Sequence, residues 1–281
     1  MSHGRSHRRK PRWGQNFLVN PRIAGTIVAA LGEIRGHGVI EIGPGQGVLT
    51  RLLIEAGARV VAVEIDPALA DQVEDELGDE QGFTLIRGDA LTVNWPALVE
   101  SALESAQGPV RLCANLPYES GTHILLDWLE VSAADERIPE AVVMLQAEVG
   151  DRLVARPRTK AYGSLAALAQ SSHEIRGVID VAPGAFRPPP KVWSRVLRLR
   201  RLATPLFPPA ARARHGSFIH DAFAHRRKQL ASDLAGRDSL SREDWQALLA
   251  GLGHPATARA EELSPRELVT LSELARRAAK G

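Results

Sequence analysis

Val39-Ile40-Glu41-Ile42 runs straight into Gly43-Pro44-Gly45-Gln46-Gly47, and then into Val48, Leu49, Leu52 and Leu53. The first four residues read as a buried strand, the glycines as a tight turn, and the spacing after them as a helix. Glycines at such a turn remove side chains, so Gly43 and Gly45 would let a ligand lie against backbone at the carboxyl end of a parallel strand. Their spacing narrows the choice of ligand. Dinucleotide enzymes place a third Gly or Ala three positions after the second; here Val48 stands there, and the third glycine is Gly47. That pattern disfavours a pyrophosphate cradle and favours an S-adenosylmethionine pocket.

Working outward, the strand signal returns at Arg59 to Val63, which ends in Glu64, and at Phe83 to Arg87, which ends in Gly88-Asp89. A carboxylate at Glu64 can accept both hydroxyls of a ribose, and one at Asp89 can accept the amino group of an adenine. Further strands fall near residues 110–115 and 140–146, with helical patterns between all of them, which predicts a doubly wound, Rossmann-like α/β sheet. Two more β-like runs, His173 to Val181 and Val192 to Leu199, lack a good helix between them, so the sheet is expected to end in an antiparallel hairpin. Thr204-Pro205-Leu206-Phe207-Pro208-Pro209 reads as a linker, and only helical patterns follow. Ser264-Pro265-Arg266-Glu267 is a capping box with proline at the first helical position, and Gly253 with Pro255 ends the helix before it. The expected organisation is a basic arm over 1–12, a methyltransferase domain over 13–203 and a helical RNA-binding domain over 204–281.

At the end of the 110–115 run stands Asn115-Leu116-Pro117-Tyr118. The 6-amino nitrogen of adenine is a poor nucleophile because its lone pair is delocalised into the ring. The side-chain carbonyl of Asn115 and the backbone carbonyl of Leu116 offer two converging acceptors for its N–H groups, and Pro117 biases Leu116 toward an extended conformation. Tyr118 supplies a face on which an unstacked base would regain about 1–3 kcal/mol. The plainer reading is a strand end with a proline turn. Phe186, ahead of stiffening prolines, would cover the other face of the adenine; its plainer reading is a core plug. Tyr162 is given no catalytic role, and Gln146 reads as a loop-organising amide.

The chain resembles the bacterial small-subunit ribosomal RNA adenine dimethyltransferases, the kasugamycin-sensitivity methylases, with the macrolide-resistance large-subunit methylases as cousins. The resemblance spans nearly the whole chain: Gly14-Gln15-Asn16-Phe17-Leu18, the glycine turn, Asn115 to Tyr118, Leu145-Gln146 with Glu148-Val149, Lys160-Ala161-Tyr162-Gly163, Phe186 to Val192, and Phe223 with Arg226-Arg227-Lys228. The last three carry most of the specificity. It implies cofactor contact by Asn16, Leu18, Gly43, Glu64, Asp89 and Asn115. It further implies methylation, twice at each 6-amino nitrogen, of two adjacent adenines in the 3′-terminal hairpin of 16S rRNA, late in ribosome biogenesis. RNA contacts are expected from Arg187, Lys191, Arg226, Arg227 and Lys228. One departure stands out: the family follows the tyrosine with Asn, an aliphatic residue and a Ser/Thr pair, whereas this chain has Glu119-Ser120-Gly121-Thr122. The Glu119 carboxylate would either repel nearby phosphates or sit at the positive amino end of the following helix.

Composition agrees with such an enzyme. The 281 residues suit two domains, and 44% hydrophobic content is ample for a core. Cys113 is the only cysteine, which excludes an internal disulfide and a cysteine-based zinc site; it reads as a buried small residue. No apolar run approaches the roughly 18 residues of a membrane span, and the run from Ile23 to Leu31 reads as a helix and not a signal peptide. Net charge is only +2, but the basic residues cluster: Arg5 to Arg12, Arg187 to Arg201, and Arg212 with Arg214 and Arg226 to Lys228. These read either as solvated faces or as a phosphate-tracking surface. His215, His220 and His225 are scattered around a helix and form no ligand cluster. A cytoplasmic monomer without a metal is expected. Two competing readings are a large-subunit resistance methylase and a non-catalytic assembly factor whose site Glu119 has spoiled.

Overall fold

In a computed structural model of the protein, the described residues are 15–104 and 106–279. The expected basic arm lies outside them. Among the described residues nine strands form: β1 (Phe17–Leu18), β2 (Gly38–Ile42), β3 (Arg59–Glu64), β4 (Phe83–Arg87), β5 (Val110–Asn115), β6 (Glu140–Gln146), β7 (His173–Val181), β8 (Phe186–Arg187) and β9 (Ser194–Arg201). Seven of them make one sheet in the order β4-β3-β2-β5-β6-β9-β7. β2 pairs in parallel with both β3 and β5, and β3 with β4, so the doubly wound reading holds. Every residue of β2 is buried, as a central strand covered on both faces requires.

The sheet closes as an antiparallel hairpin with one detail that the sequence does not disclose. Ala147 N–H donates to Trp193 O (2.9 Å) at one end of β6, and Arg201 N–H donates to Pro139 O (2.7 Å) at the other, so β9 runs antiparallel to β6. Leu202 N–H donates to Ser172 O (2.8 Å), which sets β7 antiparallel on the far side of β9. The later strand of the hairpin is therefore the inner one. A separate two-stranded ribbon pairs β1 with β8, setting Phe17 opposite Arg187 and Leu18 opposite Phe186.

Contacts divide the chain into two compact units whose bounds differ from a break at 203/204. Among the described residues, the first comprises 15–127 with 141–147 and 178–196; the second comprises 128–140, 148–177 and 197–279. The core of the first gathers Ile27, Leu53, Cys113, Met144, Phe186 and Val196. Cys113 is fully buried and free, as expected for a small core residue. The core of the second gathers Tyr162, Phe218, Leu230, Trp245, Leu263 and Leu271. Ser264 caps the helix Pro265–Ala278 as expected: its hydroxyl accepts from Glu267 N–H (3.3 Å), and Ser264 N–H donates to the Glu267 carboxylate (2.7 Å).

Candidate active site

Along the carboxyl edge of the parallel strands the backbone is stitched from strand to strand. Gly88 N–H donates to Glu64 O (2.9 Å), Gly43 N–H to Val63 O (2.9 Å), Leu116 N–H to Met144 O (2.9 Å) and Ala147 N–H to Trp193 O (2.9 Å). This is the edge where open α/β sheets hold ligands. A cavity of about 430 Å³ opens there, within the usual range for a small-molecule site. Asn16, Leu18, Gly43, Gly45, Glu64, Asp89 and the whole of Asn115 to Tyr118 line it.

The glycine turn is shaped by two needs. Gly45 has φ of +57°, and a Cβ there would lie 3.2 Å from the Phe17 ring, so both conformation and space require glycine. Phe17 is held in place by the β1–β8 ribbon, which also delivers Asn16 to the site. Gly45 N–H donates to one oxygen of Glu64 (3.1 Å) and Asp66 N–H to the other (2.9 Å). With Ile65 N–H as a further backbone donor, the carboxylate still has lone-pair capacity left for a ligand. Burial raises the Glu64 pKa, against the opposing pull of those backbone donors. Asp89 accepts from Leu91 N–H through Oδ1 (2.9 Å). Beside the two carboxylates, Ile65 and Leu91 are exposed large apolar residues that line the cavity.

Also in the cavity lining, Asn115 Nδ2 donates to Asn16 O (3.2 Å). That bond fixes which end of the amide carries the donor, leaving Oδ1 as the acceptor on the remaining side. The Tyr118 hydroxyl meets Ser194 Oγ at 2.5 Å, which sets the plane of the ring. Burial raises the phenol pKa, so at neutral pH Tyr118 is an uncharged face and not a base. Glu119 is exposed, lines the cavity, and stands two residues before the helix Gly121–Ala134. A Cβ on Gly121 would fall 2.9 Å from Leu116 Cβ, so the unusual residue after Ser120 lets that helix close on the site.

Several expected contacts fall elsewhere. Phe186 has no exposed surface and packs among core residues, because β8 pairs it with Leu18; it offers no face to the cavity, and its place is that of a core plug. Arg226 donates to Lys160 O (3.1 Å), Tyr162 O (2.8 Å) and Glu261 (2.9 Å), so its guanidinium ties the second unit together. Arg187 donates to Phe186 O (2.9 Å) and is exposed, as are Lys191, Arg226, Arg227 and Lys228; Lys228 Nζ also lies 3.8 Å from Asp233 Oδ1. Within the basic runs, Arg195 pairs with Asp180, Arg198 with Glu140 and Arg214 with Glu273, so much of that charge is met internally. Tyr162 is fully buried and donates to Leu263 O (3.0 Å), in keeping with no catalytic role.

Sequence reasoning missed Glu41. It lines the cavity from within β2, is buried, and its Oε2 has no hydrogen-bond partner. Burial, reinforced by Glu64, pushes its pKa up to about 8 despite the nearby Thr50 hydroxyl. The signal was present: a carboxylate inside an apolar strand must answer to something. Ser194 gave no such signal.

The sheet, the glycine turn and the carboxylates at successive strand ends define a Rossmann-like methyltransferase. The profile of the ribosomal RNA adenine dimethylase family matches residues 6–275, and the chain belongs to that family. It is similar to proteins named ribosomal RNA small subunit methyltransferase A from Mesorhizobium japonicum, at 42% identity over 94% of this chain and 92% of the relative. The same-named Rhodospirillum rubrum protein is 42% identical, covering 93% of this chain and 85% of the relative. Among solved structures, the 23S rRNA methyltransferase ErmE superposes with a TM-score of 0.66 at 27% identity, over 92% of this chain and 98% of that one. A dimethyladenosine transferase from Plasmodium falciparum superposes with a TM-score of 0.74 at 20% identity, over 91% and 95%, and shares the fold.

Proposed function

We propose that the protein transfers methyl groups from S-adenosylmethionine to the 6-amino nitrogen of two adjacent adenines in the 3′-terminal hairpin of 16S rRNA, giving N6,N6-dimethyladenosine. The relatives at 42% identity named for the small subunit favour that branch over the large-subunit one. The cavity suits the cofactor: Glu64 and Asp89 offer acceptors for a ribose and an adenine, Ile65 and Leu91 offer apolar walls, and Glu41 has a buried oxygen without a partner for a cationic ligand. Bound there, the cofactor supplies an electrophilic methyl group.

The observation that carries the reading is the Asn115 amide, oriented by the Asn16 carbonyl in the cavity lining. Its Oδ1 and the Leu116 carbonyl would accept from the adenine N–H groups, freeing the lone pair and stabilising the positive charge that grows on the nitrogen. No strong base is required, because the alkylated amine is acidic and sheds its proton to water. Tyr118, held by Ser194, supplies the face that steadies the base. Arg187, Lys191, Arg227 and Lys228 supply phosphate contacts.

The site is proposed to act in the cytoplasm and as a monomer, and the C-terminal helices to serve RNA binding. Among the described residues no helix is long and apolar enough to cross a membrane. The decisive experiment is methyl transfer from labelled cofactor to small subunits lacking the modification, beside large subunits and an Asn115→Ala enzyme. Dimethyladenosine in the small subunit, lost in the variant, is expected. Label in the large subunit instead would assign the protein to the resistance branch, and subunit binding without transfer would make it an assembly factor.

A further inference from the structure

Among the described residues the exposed large apolar side chains are Val19, Ile65, Leu91, Val178, Val192 and Trp193. Ile65 and Leu91 line the cavity. Val192 and Trp193, at 45% and 54% exposure, are adjacent in sequence and do not line it. Trp95, Trp128 and Trp245 are each buried, so an indole in solvent sets Trp193 apart from them.

Its location is defined by its backbone. Trp193 O accepts from Ala147 N–H at the carboxyl end of β6, which puts it in the same line of strand ends as Asn115 and Leu116. The next residue, Ser194, is fully buried and holds the Tyr118 hydroxyl. With 3.8 Å between consecutive Cα atoms, the Trp193 Cα lies within about 9 Å of that hydroxyl. The segment from Arg187 to Arg201 contains no acid, and Arg187 and Lys191, on the same segment as Trp193, are exposed. The nearby Asp180 is neutralised by Arg195. An exposed aromatic flanked by cations, one residue from the support of the proposed base platform, is the combination that binds single-stranded nucleic acid: cations track phosphates while the ring takes a base.

We propose that Trp193 is a stacking platform for an unpaired nucleotide flanking the target adenine, making it a positioning residue for the RNA. This rests on the function proposed above. Hydrophobic docking on a ribosomal protein is the competing use of such a side chain; the flanking cations and the shared strand edge favour RNA.

The test compares wild type with Trp193→Ala and Trp193→Phe in methyl transfer to unmodified small subunits, with cofactor affinity and Tm measured alongside. Trp193→Ala is expected to raise the subunit concentration for half-maximal rate about tenfold. Rate at saturation, cofactor affinity and Tm stay unchanged, and Trp193→Phe restores most of the loss. Lys191→Gln should instead lower the slope of binding against log salt by about one, which Trp193→Ala leaves alone. A short oligoadenylate should quench the fluorescence present in wild type and missing from Trp193→Phe. A Trp193→Ala enzyme equal to wild type would overturn the proposal, as would a loss that tracks Tm or cofactor affinity. A subunit defect without oligoadenylate quenching would overturn it in favour of a protein contact. Wild-type enzyme that transfers nothing to small subunits would overturn the function above, whereas quenching by oligoadenylate would still report the stacking surface.

Discussion

In the first compact unit, the buried carboxyl Glu41 has an oxygen without a partner and faces a cavity. In the second, Glu140 pairs with Arg198, and His173 meets hydroxyls of Ser132 and Ser172, each at 2.9 Å; Asp233 pairs with His225 through Oδ1, while its Oδ2 has no partner. The difference lies in what surrounds the unpartnered oxygen: Glu41 lines the cavity, whereas Asp233 stands beside His225 and Lys228 of its own unit. Buried polar groups are normally satisfied, so an exception at a cavity marks where a partner is to arrive.

The sharpest way to break this contrast is to exchange the consequences of mutation. Asn115→Ala should lower the methyl-transfer rate by a hundredfold or more, as removal of a preorganised polar contact does, while a thermal melt shows no change. Arg226→Ala should do the reverse: loss of three acceptors around a guanidinium is expected to destabilise by about 2 kcal/mol, read as a lower Tm, with the rate of the folded enzyme kept. An Arg226→Ala enzyme that melts normally but binds RNA weakly would return Arg226 to the RNA-contacting role first read from the sequence.

Two smaller effects carry opposite signs in pH. Glu41 has its folded pKa raised from 4.5 to about 8, so the folded state holds its proton more tightly than the unfolded chain does. Its contribution is fully present below pH 4.5 and is lost as pH rises toward 8. Glu41→Gln should therefore stabilise the ligand-free protein at pH 8 and change it little at pH 4.5, measured by denaturant titration. His173 and His215 have folded pKa values lowered by burial from 6.5 to about 3 and about 4. They contribute stability above pH 6.5 that is lost progressively as pH falls from there toward about 4 for His215 and about 3 for His173. Replacing His173 with Gln should flatten the acid limb by about 1 kcal/mol, and an unchanged limb would mean that other groups set it.

The same contrast explains what could be read in advance. The five parallel strands and the turn at Gly43 to Gly47 are legible because strand periodicity and positive-φ glycines leave local marks. Asn115, Glu64 and Asp89 are legible because they sit at strand ends, where a parallel sheet holds its ligands. Phe186 was not, because its burial depends on pairing with Leu18, far away in sequence. The arginines of the basic runs share that fate: Arg198 finds Glu140 and Arg214 finds Glu273 only after folding. A charge run shows where cations are, and only tertiary structure shows which remain for RNA.

The placement of β9 between β6 and β7 bears on how the enzyme comes into being. During translation β7 emerges before β9, yet it joins the sheet only through β9, the strand between it and β6. Until residue 194 has left the ribosome, β6 presents an open edge of the kind that invites pairing with other chains. Tyr118, already synthesised, waits for the serine that fixes its ring. A nascent chain halted before β9 can hold the glycine turn, but not the finished platform for a base.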